Sequence, residues 1–197
     1  MIGRTLALGF ALVCLAAGAV YAQVDYARNG FYVGLGGTYA IDAAAQDALG
    51  DAVPGYDVDI DDMLGLNTRV GYRFHPNFSA EAHFEWLDRT DVSVEGVKAA
   101  TLWYWTLSAD VKAFLLRGRF QPFALVGTGL MYAKAKDTIG YGLSASDVDF
   151  AARFGAGIDI YATKSIVVSV DSSYVLPTGS LEDLDYVSIG WRLQYRF

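Results

Sequence analysis

Hydrophobic and polar positions alternate along most of this chain, and most strictly over its last eleven residues. Val187, Ile189, Trp191, Leu193, Tyr195 and Phe197 share one face of a strand of period two, and Ser188, Gly190, Arg192, Gln194 and Arg196 share the other. Such a strand either buries its apolar face in a soluble core or turns it outward to lipid while the charged face lines a polar interior. The same period predicts eight strands: Gly30–Ala40, Leu64–Phe74, Phe78–Trp86, Thr101–Leu115, Pro122–Tyr132, Asp149–Tyr161, Ile166–Val175 and Tyr186–Phe197. Each has about the 9–11 residues that cross a bilayer at a tilt.

Two further patterns favour lipid. The connections alternate in length: His75–Asn77, Leu116–Gln121 and Ala162–Ser165 are short, whereas Ile41–Met63, Leu87–Ala100, Ala133–Val148 and Leu176–Asp185 are long. Short periplasmic turns and longer external loops mark a bacterial outer-membrane barrel. The outward aromatics sort to strand ends as well. Phe31, Tyr72, Phe74, Phe78, Tyr195 and Phe197 fall toward the short turns, and Tyr39, Trp86, Trp103, Trp105, Tyr132 and Tyr174 toward the long loops. Two aromatic girdles around an aliphatic band match the two lipid–water interfaces. The expected fold is all-β, an eight-stranded antiparallel up-and-down transmembrane barrel over residues 23–197.

The opening Gly30-Phe31-Tyr32-Val33-Gly34-Leu35-Gly36, the strand Pro122–Gly129, the step Gly155-Ala156-Gly157 and the terminal Gln194-Tyr195-Arg196-Phe197 resemble the small outer-membrane β-barrel family, of the OmpA transmembrane-domain and OmpX kind. The resemblance implies that Tyr195 and Phe197 form the signal read by the barrel assembly machinery. It implies no particular activity. Unlike OmpA, the chain stops at its last strand, so no peptidoglycan-binding domain is expected.

The N-terminus reads as an export signal. Arg4 precedes an apolar run from Leu6 to Val20, and Val20-Tyr21-Ala22 fits cleavage before Gln23. The run is about 15 residues, short of the roughly 20 a spanning helix needs. Cys14, the one cysteine, lies inside it after Val13, too bulky for a lipoprotein site. A chain processed at residue 22 has no disulfide and no thiolate ligand. Loss of Arg4, the only charged residue of that segment, takes the net charge from −7 to −8, which argues against a nucleic-acid partner.

The inward faces carry the remaining chemistry. They hold Arg69, Arg73, Lys112, Arg153, Arg192 and Arg196 against Glu81, Glu85, Asp110, Asp159 and Asp171. An eight-stranded barrel is only wide enough for its side chains to fill, and an isolated charge there is heavily penalised. Near-balanced signs predict a charge-paired plug. The tight turn at Pro76 places Arg69 opposite His83, with Glu81 and Glu85 one step to either side on the same face. The expected lumen network is Arg69, Glu81, His83, Glu85, Asp110, Lys112, Arg153, Asp171 and Arg192, centred on Arg69, Glu81, Asp110, Asp171 and Arg192.

Signals for catalysis are weak. His75 sits in a short turn and His83 in the lumen, so neither can activate a lipid-facing serine. Gly142-Leu143-Ser144-Ala145-Ser146 lacks the second glycine of a nucleophile elbow. Asp57-Val58-Asp59-Ile60-Asp61-Asp62 lacks the glycine and the distal glutamate of a calcium loop, and reads as a solvated acidic loop. No catalytic, metal or cofactor residue is expected. The leading expectation is a non-enzymatic monomer of a Gram-negative outer membrane, acting in envelope structure or surface interaction. Its partners would be lipid, lipopolysaccharide and the assembly machinery, with host, phage or cation contact through acidic loops. A narrow porin-like channel is the alternative, and a lipid-modifying enzyme a remote one.

Overall fold

The computed structural model describes residues 25–42, 58–60, 62–94, 97–137 and 144–197. Residues 1–22, where an export leader is expected, and most of the acidic first loop lie outside them. The strands are β1 (Gly30–Asp42), β2 (Val58–Ile60), β3 (Met63–His75), β4 (Phe78–Val94), β5 (Val97–Phe114), β6 (Phe120–Asp137), β7 (Ser144–Tyr161), β8 (Ile166–Pro177) and β9 (Tyr186–Arg196). All but β2 pair antiparallel with their neighbours in a ring, which β1 closes by pairing with both β3 and β9. The result is an eight-stranded up-and-down barrel with β2 as a short addition to the outer end of β4.

Period two holds through the wall. On β8 and β9 buried and exposed residues alternate almost without break. The exposed set includes Val33, Leu35, Val70, Val111, Val126, Val168 and Leu193, an apolar surface that lipid rather than water satisfies. Phe84 and Phe154 join this aliphatic band. At the short-turn end Phe31, Tyr72, Phe74, Phe78, Tyr195 and Phe197 are all exposed, and Tyr195 and Phe197 meet edge-on at 5.1 Å. At the long-loop end the rings lean on one another, as Trp105 does on Tyr132 at 5.4 Å.

Strand ends are where the structure departs from the pattern. The loops expected at Leu87–Ala100 and Ala133–Val148 are largely strand, because β4 and β5 pair out to Val94 and Val97, and β6 and β7 out to Lys136 and Ser144. The hydrophobic alternation fades in these segments while the backbone ladder continues. The β4–β5 register shifts between Leu87 and Thr90, which also breaks the phase a period-two reading follows.

The closing seam is tight. Gly36 on β1 pairs with Arg192 on β9, and a Cβ at Gly36 would run into the Trp191 carbonyl oxygen and the Arg192 Cα.

Candidate functional site in the barrel lumen

All eleven charged side chains assigned to the interior point inward and are buried, and eight of them, with His83, assemble into three groups. At the centre Arg69 donates to Glu81 at 2.7 Å and to Asp171 at 2.9 Å. Arg192 meets the second oxygen of Asp171, and Lys112 approaches Glu81 at 3.3 Å. Sheet register explains the convergence. Arg69, Glu81 and Lys112 stand on the adjacent strands β3, β4 and β5, and Asp171 and Arg192 reach across from β8 and β9. Tyr32 donates to Glu81 at 2.7 Å, and Arg192 donates to Asn67 and Ser169, each at 3.3 Å.

The second group lies nearer the long loops. Arg153 pairs with Glu85 and donates to Thr106 and Ser173, each at 3.2 Å. Glu85 also accepts from Thr38 at 2.6 Å, from Tyr186 at 3.3 Å and from Ser188. One carboxylate thus takes four donors, which offsets the desolvation of an ion pair in the interior.

The third group is looser. His83 Nδ1 and Asp110 Oδ2 stand 3.5 Å apart. Neither makes a hydrogen bond among the described residues, and the same is true of Ser108 Oγ and Lys112 Nζ. Glycines leave room beside them, since Gly129 pairs with Ser108 and Gly127 with Asp110. Asp110, expected at the centre of the network, therefore faces His83 and not Arg69. On β5 it stands directly opposite Glu81, a like charge, and Lys112 two residues on reaches that carboxylate instead.

Side chains gather at both ends of the lumen. At the short-turn end Arg73 donates to Gln121 at 2.6 Å and Tyr161 at 3.1 Å, and its guanidinium lies 4.0 Å from the centre of the Phe114 ring. Arg196 donates to Tyr161 at 2.8 Å and to the carbonyls of Tyr26 and Arg28. The segment before β1 is thereby strapped under the mouth. At the long-loop end Met63, Leu87, Leu102, Tyr104, Met131, Val175, Tyr186 and Leu181 form an apolar cap.

Leu181 arrives on a single 3-10 turn, Gly179–Leu181, in the loop between β8 and β9. Ser180 latches that loop. Its hydroxyl stands 2.5 Å from Asp147 Oδ2 and 2.6 Å from Asp149 Oδ2, able to donate to one at a time, and its amide donates to Asp149 at 2.9 Å. The Ser180 hydroxyl and the Val148 amide hold the Asp147 carboxyl below its ordinary range. This bond therefore favours the closed loop at and above the ordinary carboxylate range, and is lost as pH falls through the lowered value. Gly179 has φ +68°, and a Cβ there would also meet Asp149 at 2.7 Å. In a chain refolded from residue 23, Met131→Cys resists a membrane-impermeant maleimide, and adding Gly179→Val makes it react. Equal labelling of both variants would show that the loop does not seal the cap.

Alternation put Ser188 on the inward face; Tyr32 and Thr38 alternate with the outward Phe31 and Tyr39, Asn67 shares the parity of Arg69 and Tyr186 that of Ser188, but their hydrogen bonds needed three dimensions. Leu181 carried no sequence signal, since it sits in a loop with no period.

Comparison with known proteins follows the same line. Residues 10–197 match the sequence family described as outer membrane protein beta-barrel domain. No curated protein matches. Among solved structures, Ail, the attachment invasion locus protein of Yersinia pestis, is similar at TM-score 0.59 and 18% identity, over 86% of this chain and 100% of that one. Neisserial surface protein A is similar at 0.61 and 13%, over 85% and 97%. OprG of Pseudomonas aeruginosa is similar at 0.60 and 15%, over 85% and 96%. At these identities the structures share the fold.

Proposed function

The chain belongs to the outer membrane protein β-barrel family, and from that premise we propose that it is a non-enzymatic barrel with a plugged lumen, serving envelope structure or contact at the cell surface. Closure at three levels carries this reading: the strap at Arg196, the ion pairs around Arg69 and Glu85, and the apolar cap around Leu181. Salt bridges alone could rearrange around a passing ion, whereas an apolar constriction excludes its hydration shell. The test is single-channel conductance of refolded residues 23–197 in a planar bilayer. The native barrel is silent, and the Asp171→Asn, Arg192→Gln variant flickers open at most, because the cap stays shut. Steady ion-selective current through the native barrel would refute the plug.

A narrow passage is the second reading. It is favoured by His83, Ser108 and Asp110, whose polar side-chain atoms make no hydrogen bond among the described residues, beside Gly127 and Gly129, a polar wall that water would complete. The same recording decides between the two.

Surface contact would run through the outer face, where Asp62, Asp88, Asp147, Glu182 and Asp183 are exposed. A solved neighbour, Ail, has been captured with the heparin analogue sucrose octasulfate. An acidic face suits a cation or a basic partner instead. Residues 1–22 are assigned as the export leader, and the outward Tyr195 and Phe197 as the assembly signal.

A further inference from the structure

The short-turn rim carries more cations than acids among the described residues. Arg119 donates to the carbonyls of Tyr161 at 2.8 Å and Ala162 at 3.4 Å, so its guanidinium lies against the turn between β7 and β8. That turn bears the exposed Lys164, and Arg28 reaches its Ser165 hydroxyl at 3.5 Å. Arg117, from the same loop as Arg119, donates to Asn77 Oδ1 at 2.6 and 3.1 Å. Among the described residues none of these four cations pairs with a carboxylate, and Arg28 Nε is buried with no partner. Of the nearby acids, Asp159 turns into the lumen toward Gln194, and the exposed Asp25, which accepts from the Ala27 amide, leaves the four cations in excess.

Position identifies what would neutralise them. Leu115, Phe120 and Phe197 are exposed beside the patch, which sits just beyond the girdle of Phe74, Phe78 and Tyr195, at the depth of lipid headgroups. A patch built for a soluble acidic protein has no reason to interleave with rings that lie in lipid. Guanidinium groups bind phosphate oxygens through paired N–H donors, and Arg119 and Arg117 keep donors free after their bonds to the turns.

We propose that Arg28, Arg117, Arg119 and Lys164 form a docking surface for the headgroups of anionic phospholipids in the periplasmic leaflet. The acidic outer face and the basic rim then make the barrel electrically polar across the membrane. A chain of net charge −7 selects anionic lipid at one end in spite of its overall sign.

The test is electron paramagnetic resonance of the refolded barrel in phosphatidylcholine bilayers, with spin-labelled phosphatidylglycerol or phosphatidylcholine as the probe. One cation near an anionic surface shifts partition about fivefold, so the native barrel retains the glycerol lipid over the choline lipid by about that factor, and high salt erases the preference. Arg119→Gln with Lys164→Gln removes most of it, while Lys134→Gln, on an exposed residue toward the outer side, changes nothing. Equal retention of both probes by the native barrel overturns the proposal without recourse to any variant. So does a preference that survives in the double variant, or capture of an acidic soluble protein with no lipid preference.

Discussion

Replacing Glu85 with leucine lowers the unfolding free energy of the refolded barrel by about 3–5 kcal/mol, read as an earlier midpoint in urea with the protein in lipid vesicles. The loss follows from what is left behind. Arg153 keeps Thr106 and Ser173 but loses the carboxylate it pairs with, and a guanidinium cannot shed its charge. The reverse change is milder. Arg153→Met leaves Glu85 with hydroxyl donors from Thr38, Ser188 and Tyr186, and an orphaned carboxylate can be neutralised by taking a proton, so the loss is about 1–3 kcal/mol. The double variant Glu85→Leu, Arg153→Met recovers much of the stability, since an apolar pair can replace a buried ion pair. Equal losses from the two single variants would show that the hydroxyl shell around Glu85 contributes little.

A single methyl group at Gly36 prevents closure. Its Cβ would collide with backbone atoms of Trp191 and Arg192, and backbone in a ladder cannot swing aside as a side chain can. The affected pairing is the one that turns a sheet into a barrel. Gly36→Ala is therefore expected to lose most of the folded, heat-modifiable band on cold electrophoresis. Gly118→Ala, where a Cβ would meet nothing within 4 Å, keeps it. If both variants fold equally, the seam tolerates more separation than the structure shows.

The contrast between these residues explains how much the sequence disclosed. The barrel was legible because lipid outside and charge inside impose opposite demands on alternate residues, so Trp191 and Arg192 announce their faces without further help. The short turns gave relative depth as well, which is how Arg69 could be set opposite His83. What alternation cannot give is which inward neighbour a side chain turns to. Asp110 has the right face and depth, yet it stands opposite the like-charged Glu81 and lies 3.5 Å from His83. Lid and strap were invisible for a different reason. Leu181 and the carbonyls of Tyr26 and Arg28 act from irregular backbone, where no period exists and only the folded mouth gives them a surface to meet.

The long ladders have a consequence for whatever comes down on the cell surface. β4 to β7 run 17 or 18 residues, against 11 to 13 for β1, β3, β8 and β9. At about 3.3 Å per residue and a tilt near 40°, the excess stands on the order of 10–15 Å above the rest of the rim. The parapet covers half the circumference and shelters the mouth from that quarter.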